Sequence, residues 1–289
     1  MKKEKIVLGM SGGVDSSVAA FLLQNKGFEV HGIFMKNWDD KNAICNAEDD
    51  YADALNVCNQ LNISLKKINY TKEYKERVFN QFLEDHKNGF TPNPDVLCNK
   101  EIKFDVFQKY AKEIGATKIA SGHYAKIVRT ENNYSICKAL DSSKDQSYFL
   151  YQLSSEILEN IEFPLGDILK KDIRKIAQEN NLINASKKDS TGICFIGDRK
   201  YNDFVSQFLK SNKGKIITVD GEEIGAHNGH MYFTVGQRKG LGIGARESAF
   251  DKPWYVVNKD IDNNIVYVAQ GSNHPALFSD EICLLYTSD

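Results

Sequence analysis

One glycine–serine turn and two cysteines hold the chemistry that this sequence offers. The turn lies in Lys5-Ile-Val-Leu-Gly-Met-Ser-Gly-Gly-Val-Asp-Ser-Ser17, an apolar strand that runs through Gly9, Met10, Ser11, Gly12, Gly13, Val14, Asp15 and Ser16 into a helix. Glycines at the bend let several backbone N–H groups converge on one anion, and the following helix points its positive end there. Ser11, Ser16 and Ser17 add hydroxyl donors, and Asp15 can hold a metal or orient a hydroxyl. A Walker loop places Lys directly before its Ser or Thr to reach the β- and γ-phosphates, whereas this turn has Asp15 in that place. The expected ligand is therefore ATP cleaved to AMP and pyrophosphate. The plainer reading is a strand-to-helix turn with a polar N-cap. Specified residues between a clear strand and a clear helix argue against it.

Cys98 follows Gly89-Phe-Thr-Pro-Asn-Pro-Asp-Val-Leu97, a proline-punctuated loop that hands over to a helix through Asn99-Lys-Glu-Ile-Lys103. A helix start and the neighbouring Lys100 and Lys103 would favour its thiolate, the form that attacks electrophiles. Asp95 either shuttles protons or caps the turn, and spacing alone does not choose. Cys194 lies in the polar loop Lys187-Lys-Asp-Ser-Thr-Gly-Ile-Cys-Phe-Ile-Gly197, where it is either a redox or sulfur-transfer thiol or an inert buried one. The other four of the six cysteines, Cys45, Cys58, Cys137 and Cys283, are scattered, with no Cys-x-x-Cys of the zinc or thioredoxin kind. Cys58 falls on a helical apolar stripe, Cys137 in a hairpin and Cys283 in a strand-like run, so these three read as structural. No resident metal site is expected.

The elements that must position these groups alternate. Strands at Lys5–Met10, Glu29–Met35 and Ser64–Ile68 are interleaved with helices at Ser16–Lys26 and Glu48–Leu61, which predicts a doubly wound parallel α/β sheet. Helices are expected at Lys72–Asp85 and Lys103–Ile114, the latter with Phe104, Phe107, Tyr110, Ala111 and Ile114 on one stripe. Lys118-Ile-Ala-Ser-Gly-His-Tyr124 reads as a strand that delivers Gly122 and His123 to the carboxyl edge, where such folds bind ligands. A hairpin over Ala125–Arg129 and Tyr134–Ala139 follows, with helices near Ser154–Asn160 and Lys171–Asn181. From about Lys215 short strands and Gly, Asp and Asn turns take over. Phe233-Thr-Val-Gly-Gln-Arg-Lys-Gly-Leu-Gly-Ile-Gly244 is either a phosphate-contacting loop or a set of tight turns. The expected organisation is a catalytic domain over 1–211, a central β-rich domain over 212–272 and the start of a C-terminal β-barrel over 273–289, cut short.

The 289 residues carry 37 Lys and Arg against 39 Asp and Glu, a net charge of −2, so no global basic field announces nucleic acid. Any RNA contact must come from local clusters such as Lys187/Lys188, Arg199/Lys200 and Arg238/Lys239. Neither a signal-type apolar segment nor a run of membrane-spanning length is present, and a cytoplasmic protein is expected.

Taken in order, the pyrophosphate loop, Asn93-Pro-Asp95 with Cys98, Ser121-Gly-His123, Lys144-Asp-Gln146, Ser190-Thr-Gly-Ile-Cys194 and Thr234-Val-Gly-Gln-Arg-Lys-Gly-Leu241 closely resemble the tRNA-specific 2-thiouridylases, over about Ile6 to Gly271. The resemblance implies an ATP- and magnesium-dependent tRNA-uridine 2-sulfurtransferase. It implies that Gly9 to Ser16, Met35 and Gly122 bind the nucleotide, and that Asn93, Pro94 and Asp95 meet the target base. It further implies that His123, Lys144, Asp145 and Gln146 touch tRNA. Cys194 would receive sulfur as a persulfide from a sulfur-relay protein or cysteine desulfurase, and either Cys98 attacks its bridging sulfur to free a sulfide and leave a disulfide or the persulfide attacks the ring directly, with Asp95 moving the proton. The competing enzyme class is an ATP-dependent amide or C–N ligase that adenylates a small molecule, which would need no paired cysteines.

Overall fold

In the first strand, β1 (Lys5–Gly9), Ile6, Val7 and Leu8 are all fully buried, as in a strand covered on both faces. The computed structural model describes residues 3–39, 47–131, 133–189, 192–193, 195–197, 199–243 and 252–281. They divide into two units, one formed within residues 3–78 and 94–197 and the other within 79–93 and 199–281.

The first unit continues with α1 (Val14–Asn25), β2 (Glu29–Lys36), α2 (Ala47–Gln60), β3 (Ser64–Asn69) and α3 (Thr71–Tyr74). After α4 (Asn80–Lys87), which belongs to the second unit, come α5 (Pro94–Cys98), α6 (Phe104–Ile114) and β4 (Lys118–Ala120). The hairpin β5 (Ala125–Arg129) and β6 (Tyr134–Lys138), then α7 (Ser155–Leu158), β7 (Ile161–Glu162) and α8 (Lys170–Glu179) complete it. The sheet is parallel throughout, in the order β3-β2-β1-β4-β7. Side chains alternate across it. Ile6 and Leu8 join a core with Val18 and Leu23 of α1 and Ile173 and Ala177 of α8. Gly9 lies so close to α6 that a Cβ there would strike the Phe107 ring. The doubly wound sheet read from the sequence is therefore the observed one.

Two helical expectations are corrected. The run predicted at Lys72–Asp85 is interrupted by a π-helical turn at Lys75–Phe79. The helix predicted to start after Cys98 starts at Pro94, and α5 passes through a second π-helical turn, Asn99–Lys103, into α6. Proline suits a first helical turn because its missing N–H has no intrahelical role there.

In the second unit, α4 meets α9 (Tyr201–Val205) through aromatic rings: Phe79 lies 4.9 Å from Phe208, and Phe204 lies 5.0 Å from Phe208. Its sheet comprises β8 (Gly214–Thr218), β9 (Glu223–His227), β10 (Trp254–Asp260) and β11 (Ile265–Gln270), in the order β10-β11-β8-β9. β11 and β8 pair in parallel and the other neighbours antiparallel. Ile216, Phe233, Val256, Val266 and Val268 form its core. Among the described residues no helix is long and apolar enough to cross a membrane.

Candidate active site

β1 delivers the pyrophosphate loop to the carboxyl edge of the sheet, beside the ends of β2 and β4. Met10 N–H donates to the Ile33 carbonyl, which anchors the loop entrance to β2, and Met35 lies near the end of that strand. Gly12 has φ +77°, and a Cβ there would collide with the Asp50 carbonyl. Only glycine fits both constraints. Gly13 is the extended residue ahead of α1. Its carbonyl accepts the Ser16 hydroxyl at 3.1 Å and the Ser17 hydroxyl at 2.9 Å. These two buried serines thus bond to the loop's own carbonyl. Ser11 Oγ, which is exposed, lies 3.2 Å from Ser16 Oγ. Gly122, predicted beside the nucleotide, does approach the loop: a Cβ on it would sit 3.3 Å from Ser16 N.

Three residues that sequence reasoning missed hold this loop in place. Asn184, a buried side chain, donates through Nδ2 to the Gly12 carbonyl and to Ser17 Oγ, both at 2.9 Å. Lys170, the first residue of α8 and 9% exposed, places Nζ 2.7 and 2.9 Å from the two oxygens of Asp15. The same ammonium lies 2.8 Å from Asp189, which also accepts from Arg174 at 2.6 Å. Burial pushes the Asp189 carboxyl up, but Lys170, Arg174 and Lys144 outweigh it and hold that carboxyl below its usual range. Tyr124 OH donates to Asp15 Oδ1 at 2.8 Å, and burial, reinforced by that carboxylate, raises the phenol pKa. No local spacing signals these partners, which lie 109 to 172 residues from the groups they hold.

Cys98 is buried at the end of α5. It lies inside a helical run, so the N-terminal dipole expected to favour its thiolate acts instead near Pro94 and Asp95. Lys103 donates to Asn99 Oδ1 at 2.9 Å, and Asn99 donates to the Phe149 carbonyl. Burial pushes the Asp95 carboxyl up, with Lys103 opposing. Such a carboxyl is suited to holding a proton at neutral pH more readily than an exposed aspartate. Asn93 and Pro94 directly precede it.

His123 leaves the sheet just after β4, its Nδ1 2.8 Å from Ser121 Oγ and its ring between Phe104 and Phe163, 6.3 and 6.2 Å away. Desolvation, with Lys103 adding to it, lowers its pKa well below the ordinary histidine value, so the ring is neutral. Gln146 clasps the neighbouring residue. Its N–H donates to the Tyr124 carbonyl at 2.8 Å, and its Oε1 accepts from Tyr124 N–H at 3.1 Å. Asp145 accepts from Ala139 N–H and the Ser147 hydroxyl, both at 2.8 Å, and so shapes its own turn. Lys144 extends toward Asp189 at 3.4 Å. His123 and the 144–146 segment therefore meet around Tyr124, which touches the nucleotide loop.

Cys194 lies outside the described residues, as do Cys45 and Cys283. Its neighbour Phe195 is buried against the Trp38 and Tyr74 rings, 5.5 and 6.1 Å away. Cys58 is fully buried and burial pushes its thiol up to about 11, which fits the structural reading. One basic cluster is corrected: Lys187 is paired with Asp50 at 2.7 Å and Asp53 at 2.6 Å on α2, leaving Lys188 exposed. Arg199 lies over the Phe204 ring at 4.6 Å. Arg238 and Lys239 are exposed, in a turn that Gln237 ties together through Thr234 N–H and the Lys239 carbonyl.

A parallel sheet with a glycine–serine loop at its carboxyl edge, feeding a helix, defines the pyrophosphate-loop class of α/β proteins. The tRNA methyl transferase HUP domain family matches residues 4–198, and the tRNA methyl transferase PRC-barrel domain family matches residues 202–270. The chain is 54% identical over 281 residues to tRNA-specific 2-thiouridylase MnmA 1 of Geobacillus kaustophilus, covering 96% of this chain and 75% of that one. It is equally 54% identical to the tRNA-specific 2-thiouridylase MnmA of Klebsiella pneumoniae subsp. pneumoniae, covering 96% and 76%. A solved 4-thiouridine synthetase–RNA complex with bound ATP aligns with a TM-score of 0.42 at 18% identity, over 71% of this chain and 50% of that one. This chain belongs to the tRNA-specific 2-thiouridylase family.

Proposed function

We propose that this protein thiolates the wobble uridine of tRNA at C2, consuming ATP. The observation that carries this reading is the 54% identity spread over 96% of the chain. The pyrophosphate loop and its long-range supports give that reading a physical site. A ligase acting on a small molecule needs no paired cysteines.

Oxygen is a poor leaving group in the uracil ring, and its replacement begins by transfer of AMP to the C2 oxygen with loss of pyrophosphate. The loop from Gly9 to Ser16 positions the phosphates, with Met35 and Gly122 beside the adenosine, which converts a bimolecular encounter into an oriented one. Magnesium enters with the phosphates; Asp15 is the loop's single carboxylate. Among the described residues no three of His, Cys, Asp and Glu gather into a site that would hold a metal by themselves.

Cys194, charged with a terminal sulfur by a sulfur-relay protein or cysteine desulfurase, supplies the nucleophile. In one route the terminal sulfur of the persulfide attacks C2 and AMP departs, after which the Cys98 thiolate attacks Cys194 Sγ, breaks the S–S bond to release the 2-thiouridine sulfur and leaves a Cys98–Cys194 disulfide. In the other, Cys98 attacks the Cys194 sulfur, sulfide leaves to attack C2, and a Cys98–Cys194 disulfide remains for a reductant to open. Asp95, with its raised pKa, moves the proton at the base. Asn93 and Pro94 line that approach, and His123 with Lys144, Asp145 and Gln146 forms a contact surface for tRNA. Unstacking the target is cheaper in an anticodon loop than in a duplex.

The test is mass spectrometry of nucleosides from unthiolated tRNA incubated with the protein, ATP, magnesium and a persulfide donor. The expected product is 2-thiouridine, absent without ATP and absent with Cys194→Ser. Pyrophosphate release that needs no tRNA would favour the ligase instead.

A further inference from the structure

The pyrophosphate loop has an unusual electrostatic problem. It is built to receive a polyanion, yet from Ile6 to Asn25 the chain has no Lys or Arg, and its one charged side chain is the carboxylate of Asp15. A carboxylate in the first turn of the anion-binding helix repels phosphate at close range. The nearest described counter-charge comes from 155 residues further on, in the ammonium of Lys170. Its backbone is fixed as well, since Lys170 N–H donates to Asp141 Oδ2 at 3.0 Å.

We propose that Lys170 is the phosphate-binding cation of this loop, taking the role that a Walker lysine plays from within its own motif. The ammonium is held by two carboxylates, and neither depends on it alone. Asp189 retains Arg174 at 2.6 Å and Asp15 retains the Tyr124 phenol at 2.8 Å. The ammonium can therefore turn from Asp189 toward a phosphate oxygen without stranding an uncompensated buried charge, the step that makes breaking a buried pair expensive. Its flexible stem and three donors suit that movement. The inference rests on the ATP-dependent reading above and assigns that reading a residue.

The experiment is calorimetric binding of ATP with magnesium, and separately of adenosine, to the full chain as wild type, Lys170→Met, Asp15→Asn and the double variant. Loss of a charge-assisted phosphate contact is expected to weaken ATP binding roughly 10- to 100-fold in Lys170→Met and to leave adenosine binding unchanged. The same loss is expected when Lys170→Met is made in the Asp15→Asn background. Unchanged ATP affinity in Lys170→Met overturns the proposal, and so does a loss that vanishes beside Asp15→Asn, which would make Lys170 a mere counter-charge. If adenosine binding and melting temperature fall together with ATP binding, Lys170→Arg decides: recovered preference for ATP over adenosine upholds the phosphate contact, and no recovery overturns it. A wild-type protein that binds no ATP would sink the functional reading itself and this proposal with it. ATP binding that is indifferent to Lys170 sinks only the latter.

Discussion

Two glycine-rich loops invite the same sequence reading and are built in opposite ways. The loop over residues 9–17 is supported from far along the chain, by Asn184 on its carbonyl and serine, by Lys170 and Tyr124 on its carboxylate, and by Gly122 against its helix. In the loop over residues 234–242 the Gln237 side chain reaches Thr234 N–H and the Lys239 carbonyl, while the main chain is tied to β10, Gly236 N–H donating to the Val256 carbonyl at 2.7 Å and Val256 N–H to the Gln237 carbonyl at 2.9 Å. The first is held by side chains from far along the chain, whereas the second is held by one side chain of its own and by main-chain bonds to a neighbouring strand, and it carries exposed Arg238 and Lys239. The two surroundings differ in charge as well. Around the first loop the buried Lys170 is paired with the partly exposed carboxylates of Asp15 and Asp189, while in the second unit burial lowers the pKa of His86, beside the Tyr201 phenol.

Matched substitutions put this contrast at risk. Gly12 and Gly240 share φ +77°, but a Cβ on Gly12 meets the Asp50 carbonyl, and one on Gly240 comes no closer than 3.9 Å to Gln237. Gly12→Ala is expected to cost about 3 kcal/mol or more, from steric collision added to backbone strain. Gly240→Ala carries the strain alone, about 1 kcal/mol. Equal shifts in a denaturant melt would erase the distinction.

Next in size is the acid response of the second unit. Burial, with Lys259 adding to it, lowers the His86 pKa from 6.5 to about 4, so the unfolded chain takes up the proton first. Stability is then complete above pH 6.5 and declines as pH falls toward 4, by about 3 kcal/mol in full. Urea melts between pH 7 and 4.5 should show a shallower decline for His86→Gln than for the wild type; parallel curves would mean that His86 does not fold neutral.

The smallest effects separate the two loop supports. Asn184→Ala strips buried bonds from Gly12 and Ser17 and is expected to cost about 2 kcal/mol and weaken ATP binding. Gln237→Ala removes bonds in an exposed turn and should cost no more than about 1 kcal/mol. If ATP binding tracks Gln237 and ignores Asn184, the roles assigned to the two loops are reversed.

What the sequence disclosed was periodic or contiguous. The buried run of Ile6, Val7 and Leu8, the stripe on α6, the hairpin around residues 130–133 and the loop itself were all readable, because each is specified by neighbours. Lys170, Asn184 and Asp189 were not, since their significance arises only when the sheet brings residues 141 to 189 against residues 12 to 17. Lys187 read as a free basic residue for the same reason: Asp50 and Asp53, which neutralise it, are 137 and 134 residues away. The two prolines before Cys98 suggested loop, yet Pro94 opens a helix. A break in hydrogen-bond spacing, such as the π turn at Asn99–Lys103, leaves no mark on composition at all.

That π turn sets a phase. Each residue of an α-helix advances side chains by roughly 100° about the axis, and a wider turn between two α segments offsets one against the other by about one such step. Cys98 stands on one side of the turn, and the stripe of Phe104, Phe107, Tyr110 and Ala111 that seats α6 stands on the other. Deleting a single residue from Asn99–Lys103 would restore one regular helix, more favourable in local hydrogen bonding, and rotate the thiol out of its buried position while α6 kept its seat. The register of one cysteine is thus written in the length of the segment that follows it.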